Sequence, residues 1–424
     1  MAGIRPFRSI RPAEETAARV AALPYDVYDY EDAKAEVQRE PLSFLRIDRA
    51  ETLLAEGTDP YSAEVYEKAR DEIARFCEEG VLITEDKPCY YLYELTGMGH
   101  TQTGIAALSS VDDYLNGVIR RHENTREEKE LDRIRHVDVT NMQTGPIFLA
   151  YRGTDTLRNI MAEAKKSRPL YDFTSPDGVR HRVFRIAEEA QVCAVTEAFR
   201  GVERTYIADG HHRAASAVKV SLMRREANPG YTGEEEFNWF LSVLFPEEDL
   251  KILPYNRVVL DLGRHNEESL LNGILAHYQL TAEIPASEIS GKPDVPGDGK
   301  NPSRKGEFCL LLGETWYTFR LREGYQSADP VKNLDVESLQ DYVLAPLLDI
   351  RDPRRDERIR FVGGIHGTAE LERQVREGAA AAFSMYPTSM EELLSVADAG
   401  SLMPPKSTWF EPKLRSGLFL HRLD

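Results

Sequence analysis

The stretch that most constrains the fold is a short apolar run that stops at an aspartate and a glycine and then changes its periodicity. Residues 206–208 are apolar, and after Asp209 and Gly210 the small and apolar residues Ala214, Ala217 and Val218 return at the spacing of one helical face. This pattern predicts a strand, a tight turn and a helix. Because Gly210 has no side chain, it can adopt the backbone angles that such a turn requires.

The residues that follow the glycine are chemically unusual for a helix start. The first turn of a helix leaves amide hydrogens without partners and carries a partial positive charge. His211, His212 and Arg213 add two imidazoles and a guanidinium at that end, and Arg can hold two phosphate oxygens at once. We therefore predict a phosphate site here. The alternative is a capped helix end in which Asp209 pairs with Arg213.

The turn from Asp209 to Arg213 resembles the nucleotide-contacting turn of the ParB/sulfiredoxin-like superfamily, which includes free-serine kinases. Sulfiredoxins carry Gly-Cys-His-Arg at this place, and His211 stands where their reactive cysteine would be, so sulfiredoxin chemistry is not expected. ParB proteins carry Gly-Glu-Arg-Arg, which Gly210 and Arg213 match. The His-His form is most similar to the serine kinases.

Four further segments extend the resemblance over nearly the whole chain. Together with the turn, and in this order, they resemble the bacterial domain-of-unknown-function family 1015. The segments are Pro24–Val27, His122–Thr125, Leu253–Val259 and Met403–Phe410. The resemblance implies an α/β fold with a mixed sheet, in which a ParB/sulfiredoxin-like nucleotide-binding core is followed by a C-terminal α/β domain.

The resemblance implies phosphoryl transfer between ATP or ADP and a small hydroxyl substrate, with free serine as the first guess. Gly210, His211, His212 and Arg213 would hold the transferring phosphate, and Asp209 would position it or bind Mg²⁺ together with Glu123. Phosphoserine hydrolysis would use nearly the same groups with water as the acceptor. The alternative function is a nucleotide-responsive, ParB-like regulatory protein without small-molecule chemistry.

The segment before the next helical pattern is the second candidate for chemistry. His122 and Glu123 precede a capping pattern, Thr125 with Glu128, that predicts a helix running to Val137. A carboxylate beside an imidazole can remove a proton from a hydroxyl or hold a divalent cation. Glu123 is therefore a candidate catalytic base, and the alternative is simple pairing with Arg120 or Arg126.

Two other single residues are candidates. Asp26 lies in a loop rich in proline and aromatic residues and could also serve as the catalytic base. Its alternative use is to close a turn or to cap the helix that starts near Tyr30. Arg257 could be a second phosphate contact or an ordinary surface arginine.

The last candidate site is the C-terminal motif, which has prolines on both sides. It carries Lys406, Ser407 and Thr408 as potential phosphate donors, and Trp409 could stack on a base. The family resemblance places this motif with the histidine turn, so we predict nucleotide contacts for all four residues. The alternative is a C-terminal arm docked by its aromatic side chains.

Composition limits the partners. The formal net charge of −18 and the absence of a basic run make DNA an unlikely partner by charge. Short apolar runs and an N-terminus without a signal-like stretch predict a protein with no membrane association and a cytoplasmic location. The partners expected are a nucleotide and a small hydroxyl-bearing molecule, and a homodimer is one option for the assembly.

The chain of 424 residues is long for one domain. We predict a nucleotide-binding domain over residues 1–260 and an α/β domain over 261–424. Hairpins are predicted from Cys89–Leu95 with Gly104–Leu108 and from Phe308–Leu312 with Thr315–Arg322. The run 239–246 predicts a strand covered on both faces, and residues 284–306, rich in proline and glycine, predict a loop.

Overall fold

The computed structural model describes residues 1–125 and 127–424 and has a mixed α/β architecture. The strands are β1 Ile4–Arg5, β2 Ile10–Pro12, β3 Leu82–Thr84, β4 Tyr90–Gly97, β5 His100–Ser110, β6 Ile119–Arg120, β7 Met142–Gln143, β8 Ile147–Tyr151, β9 Tyr171–Thr174, β10 Arg180–Ile186, β11 Thr205–Asp209, β12 Trp239–Pro246, β13 Lys251–Leu253, β14 Tyr255–Val259, β15 Tyr278–Pro285, β16 Glu307–Leu312, β17 Thr315–Leu321, β18 Ile359–Gly363, β19 Ala381–Met385, β20 Trp409–Glu411 and β21 His421–Arg422.

The α-helices are α1 Ala17–Val20, α2 Tyr30–Arg39, α3 Leu45–Asp48, α4 Ala63–Glu78, α5 Val111–Leu115, α6 Glu127–Thr140, α7 Asp155–Ala164, α8 Glu189–Phe199, α9 His211–Ala227, α10 Glu267–Ile274, α11 Ala286–Ile289, α12 Asp335–Leu339, α13 Ala345–Leu348, α14 Gly367–Arg376 and α15 Met390–Asp398. A π-helical turn, Gln340–Leu344, joins α12 to α13. Within the described part of the chain, none of these helices has the length and apolar character needed to span a bilayer.

The chain divides into two compact units. The first comprises residues 1–250 and 412–424, and the second comprises residues 251–411. The fold class predicted from the sequence, α/β with a mixed sheet, is confirmed at this level. The ParB/sulfiredoxin-like core and the functional domains proposed at 1–260 and 261–424 stay predictions.

A nine-stranded mixed sheet forms the centre of the first unit. Its order is β6-β11-β8-β12-β5-β4-β10-β9, with β1 paired to β5. The β6–β11 and β8–β12 pairs are parallel, whereas the other pairs are antiparallel. All eight residues of β12 except Trp239 are buried, as expected for a strand covered on both faces.

The second unit is built on a six-stranded antiparallel sheet. Its order is β15-β17-β16-β19-β14-β18. The β15 strand and helix α11 occupy the start of the segment predicted as a loop over residues 284–306, so that prediction is wrong for its first residues. The cause is that β15 pairs along β17, and these backbone hydrogen bonds outweigh the weak local preference of a polar segment.

Candidate functional site

The candidate site lies at one edge of the large sheet because two strands end there side by side. Strands β6 and β11 are parallel, with Ile119 opposite Thr205 and Arg120 opposite Tyr206. The residues that follow parallel strands leave the sheet at the same edge. The sheet therefore brings the segment at His122 next to the turn at residues 209–213, although the two are far apart in sequence.

The turn itself has the predicted strand, glycine and helix. Gly210 occupies the N-cap position of α9 with φ 93° and ψ 31°, in the left-handed region, and it has no side chain with which to cap the helix. A methyl group on Gly210 would come within 3.0 Å of Nη2 of Arg213. The guanidinium of Arg213 thus folds back over the glycine, at the positive end of the helix.

Arg213 does not pair with Asp209. Its Nη1 donates to the carbonyl oxygen of Pro146, which precedes β8 at the same edge of the sheet. Asp209 instead accepts from the backbone amide of Gly210 at 2.8 Å and lies 3.4 Å from Nζ of Lys413. The alternative in which Asp209 and Arg213 merely close a capped helix end is therefore wrong.

Cationic neighbours stabilise the negative charge of the Asp209 carboxylate. Burial alone would raise the pKa of this carboxyl, but Lys413, Arg213 and the amide of Gly210 together hold its pKa well below the ordinary value. Asp209 is consequently an anion throughout the physiological range. It balances part of the positive charge that Lys413 and Arg213 bring to the turn.

Two buried imidazoles meet at the site. The rings of His122 and His211 contact edge to face, with centroids 4.5 Å apart and an interplanar angle of 83°. Both residues are more than nine-tenths buried. Nδ1 of His122 and Nε2 of His211 are buried and have no hydrogen-bond partner among the described residues.

Burial keeps both rings neutral. It lowers the pKa of His122 to about 4, an effect that nearby Asp209 offsets only in part. Burial and the adjacent His122 hold the pKa of His211 well below its ordinary value. Leaving buried ring nitrogens unpaired costs free energy, about 1–3 kcal/mol each. Buried ring nitrogens at a helix N-terminus are suited to contact a polar ligand.

Glu123 lies beside the turn. Its Oε2 lies 3.8 Å from Nδ1 of His211, and about half of its side chain is exposed. This distance is too long for a hydrogen bond, and the exposed part of the carboxylate side chain is in contact with solvent. Arg126, which was considered as an alternative partner of Glu123, lies outside the residues that the structure describes.

Asp26 is next in sequence to Tyr25, which lines a cavity beside Arg213. Tyr25 and Pro24 line a cavity of about 30 Å³ together with Arg213, Asp48 and Arg133. This volume accommodates ordered water but not a nucleotide. Asp26 is exposed in a short 3₁₀ turn, and the cap of α2 is Asp29, which accepts from the amide of Asp32. The capping role considered for Asp26 is therefore wrong.

His212 is half-buried, and its carbonyl oxygen accepts from the hydroxyl of Ser216 one helical turn later. The first unit thus gathers Asp209, Gly210, His211, Arg213 and Glu123 in one place. No group of three or more His, Cys, Asp or Glu side chains positioned to hold a metal ion occurs among residues 1–125 and 127–424.

The remaining predicted site residues belong to the second unit. Lys406 is exposed and has a left-handed backbone, and its ammonium lies 5.4 Å from the ring centre of Tyr255. The hydroxyl of Ser407 donates to the carbonyl oxygen of Pro404, and Thr408 is half-buried. Trp409 packs against Gly363, where a methyl group would come within 2.6 Å of the indole.

Arg257 is not a surface residue. Only 3% of it is exposed, and it lies on β14, between β19 and the edge strand β18. The nucleotide contacts predicted for Arg257, Lys406, Ser407, Thr408 and Trp409 stay predictions.

Sequence reasoning missed Lys413 as a site residue, although it pairs with Asp209 across more than two hundred residues. His122 was noted beside Glu123, but its burial against His211 could not be inferred. The signal that was available is the polar pair His122–Glu123, which stands just before the capping pattern of Thr125 and Glu128.

Known proteins show the following similarities. Residues 4–337 match the family model described as "Protein of unknown function (DUF1015)". No curated protein matches the chain in sequence. Similar solved structures include a free serine kinase variant in complex with ADP, with 13% identity and a TM-score of 0.36 over 75% of this chain and 92% of that chain.

Two other solved structures have comparable similarity. A conserved hypothetical protein from Pyrococcus furiosus has 15% identity and a TM-score of 0.33, over 75% of this chain and 95% of that one. A C-terminally truncated SbnI from Staphylococcus aureus has 12% identity and a TM-score of 0.36, over 73% and 85%. With likenesses this low, activity has to be argued from the site.

Proposed function

The chain belongs to the DUF1015 family, and we propose that it is a nucleotide-dependent phosphotransferase whose phosphate site is the turn from Asp209 to Arg213. The observation that carries this proposal is the pair of buried imidazoles, His122 and His211, whose unpaired ring nitrogens lie at the N-terminus of α9. A phosphate group offers several acceptor oxygens, so a single ligand could pair with both of these nitrogens when they carry a proton.

Each residue of the turn has a separate task in this mechanism. The left-handed Gly210 lets the chain turn sharply, so that the first amides of α9 face outward toward a phosphate. Arg213, folded over the glycine, adds a guanidinium that can bind two oxygens. Phosphoryl transfer is mostly positioning and charge neutralisation, which is what this set of donors supplies.

In the transfer, a new bond from the acceptor oxygen to the terminal phosphorus replaces the bond between that phosphorus and the nucleotide, so ATP leaves as ADP, or ADP leaves as AMP. The acceptor hydroxyl needs a base, and Glu123 is the first candidate. Its carboxylate is half exposed and lies beside His211, so an incoming hydroxyl could reach it from solvent. Asp26 is the second candidate because its neighbour Tyr25 lines the cavity beside Arg213. In either case the carboxylate would take the hydroxyl proton as the oxygen attacks the phosphorus.

Asp209 and Glu123 are the carboxylates that would hold Mg²⁺, an ion commonly bound by one or two carboxylates together with substrate phosphates and water. Both carboxylates are near His211, and carboxylate oxygens are the kind of ligand that this ion takes. When bound, the ion would neutralise charge on the phosphate oxygens.

The acceptor is a small hydroxyl compound, with free serine as the first candidate, because the His-His form of the turn resembles that of serine kinases. The donor is ATP or ADP. The test is to incubate the protein with ³²P-labelled nucleotide, Mg²⁺ and a panel of hydroxy amino acids, and to separate the products. A labelled amino acid supports the proposal. Saturable nucleotide binding without any product would instead favour a nucleotide-responsive binding protein.

A further inference from the structure

Arg257 is a buried cation in the second unit. It lies on β14, between β18 and β19 in the sheet, opposite Phe361 and Phe383. Its guanidinium lies over the ring of Phe361, 5.4 Å from the ring centre. Only 3% of the residue is exposed, so most of the hydration of this charge is lost.

The buried guanidinium has no anionic partner within the described ranges. It donates to two backbone carbonyl oxygens, those of Tyr255 and Lys406, the latter at 3.2 Å. Burial without a compensating negative charge lowers the pKa of Arg257 to about 10. Buried arginines are normally paired, because an uncompensated charge in a protein interior is costly. A guanidinium has five N–H donors, so two carbonyls leave several of them for another partner.

A cavity of about 370 Å³ opens beside Arg257. This volume falls within the range of small-molecule sites, roughly 300–1,000 Å³, and is larger than an inorganic phosphate needs. Phe361, Pro404 and Pro405 supply apolar surface on the lining. The cavity thus combines one unpaired cation with an apolar wall, which suits an organic molecule that carries an anionic group.

The other charged residues on the lining do not neutralise Arg257. Arg354 is 2.9 Å from Asp352, and Arg351 is 2.8 Å from Asp349. Glu337 also lines the cavity, and burial raises the pKa of its carboxyl, with nearby Asp341 adding to the effect. Arg257 forms no ion pair with Glu337 or with any other carboxylate of the described residues, so its charge remains available to a ligand.

We propose that this cavity binds a small organic oxyanion, a phosphate monoester or a carboxylate, whose anionic group pairs with Arg257. The ligand site belongs to the second unit alone and does not depend on the histidine turn. Arg257 would donate hydrogen bonds to two oxygens of the anionic group, as guanidinium groups do with phosphates and carboxylates. The apolar wall would cover the rest of the ligand.

Residue-level protection of the wild-type, full-length protein tests this directly. Phenylglyoxal modifies arginine side chains, and peptide mass spectrometry gives the rate at each position. Millimolar glycerol phosphate or succinate should slow modification of Arg257 by about tenfold, which corresponds to occupancy of about nine-tenths. Exposed Arg264 of the same unit is the internal control and should react at an unchanged rate.

Comparing the two anions shows whether the site prefers a phosphate monoester or a carboxylate. The anion that protects Arg257 at the lower concentration identifies the preferred ligand class. The same experiment on Arg213→Ala should show undiminished protection of Arg257. Loss of protection there would assign the ligand to the histidine turn and overturn a separate site. Unchanged modification of Arg257 with both anions, or no reaction at Arg257 while Arg264 reacts, would also overturn it.

Calorimetry on variants provides a second measurement. Arg257→Met should weaken binding of the protecting anion by at least about tenfold, whereas the matched charge loss Arg264→Met should leave it unchanged. Equal affinity in Arg257→Met and wild type would contradict the proposal. If Arg257→Met does not fold, the protection experiment on the wild type decides the question alone.

Discussion

The ring of His122 meets the ring of His211 edge to face, with centroids 4.5 Å apart, and each ring keeps a buried nitrogen without a hydrogen-bond partner within the described residues. Packing alone does not account for this pair, because aliphatic side chains would fill the space without the cost of unpaired polar atoms. A ligand with several acceptor oxygens would remove that cost.

Phosphate binding should take up protons. Burial keeps His122 neutral, with its pKa lowered to about 4, and it keeps the pKa of His211 well below the ordinary value. A bound dianion stabilises the imidazolium form and therefore raises both pKa values. Calorimetry of ADP binding at pH 6 in buffers of different ionisation enthalpy should show net proton uptake.

The matched control for proton uptake is His122→Asn, in which the uptake should decrease. Binding with no proton uptake in the wild type, or with the same uptake in both proteins, would contradict a role for these imidazoles at the phosphate.

Folding stability should depend on pH through His122. Its pKa in the folded protein, about 4, lies below its ordinary value. The unfolded chain therefore binds a proton more readily, and stability is complete above about pH 6.5 and falls as the pH drops toward 4. One such group contributes a slope of up to about 1.4 kcal/mol per pH unit in that window.

Urea unfolding of wild type and His122→Asn between pH 4.5 and 7.5 measures this slope. The variant should lose less free energy of unfolding than the wild type as the pH falls. Parallel pH dependences would show that His122 is not buried in its neutral form.

Gly210→Ala should damage the turn in two ways. The left-handed backbone at φ 93° costs a residue with a β-carbon about 1–2 kcal/mol. The added methyl would also lie 3.0 Å from Nη2 of Arg213 and displace that guanidinium. The expected result is a lower free energy of unfolding together with lost nucleotide binding.

Gly178→Ala is the matched control, because Gly178 has φ +81° with no atom within 4 Å of the added methyl. It should be destabilised to a similar degree and yet bind nucleotide normally. If Gly210→Ala also binds nucleotide normally, the turn is not part of the nucleotide site.

Arg213→Ala should lower turnover at least about tenfold, because in the proposed mechanism its guanidinium stabilises charge on the transferring phosphate. Arg224→Ala removes the same side chain from the far end of the same helix, where it pairs with Asp138. That variant should keep wild-type turnover. Equal rates for the two variants would contradict the role assigned to Arg213.

Glu123→Gln should lower kcat with little effect on the affinity for nucleotide, since the amide keeps the shape of the carboxylate but cannot accept the hydroxyl proton. Glu128→Gln, an exposed glutamate on α6, is the control. If Glu123→Gln retains full kcat, Asp26 becomes the remaining candidate base, and Asp26→Asn should then show the loss.

Local signals predicted the individual elements well. The hairpin predicted around Gly97–His100 is confirmed, because β4 and β5 pair through a turn whose central residues, Met98 and Gly99, both have positive φ. The strand, glycine and helix at residues 205–217 are also confirmed. In each case the turn chemistry and the apolar period pointed to the same structure.

Long-range placement could not be predicted. The pairing of Lys413 with Asp209 joins residues far apart in the sequence, and no local pattern encodes it. His122 is placed by strand β6, which comes just before it in the chain. Because β6 has only two residues, it is too short to show the alternation of apolar and polar residues that predicts a strand. Likewise, no local pattern indicates that Arg257 is buried and forms no ion pair with a carboxylate of the described residues.

The most direct test of the central claim is the crystal structure of the protein with ADP and Mg²⁺. The account predicts phosphate oxygens within hydrogen-bond distance of the first amides of α9, the guanidinium of Arg213 and a ring nitrogen of His211. A complex in which the phosphates lie elsewhere, while the nitrogens of His122 and His211 remain without a partner, would contradict it.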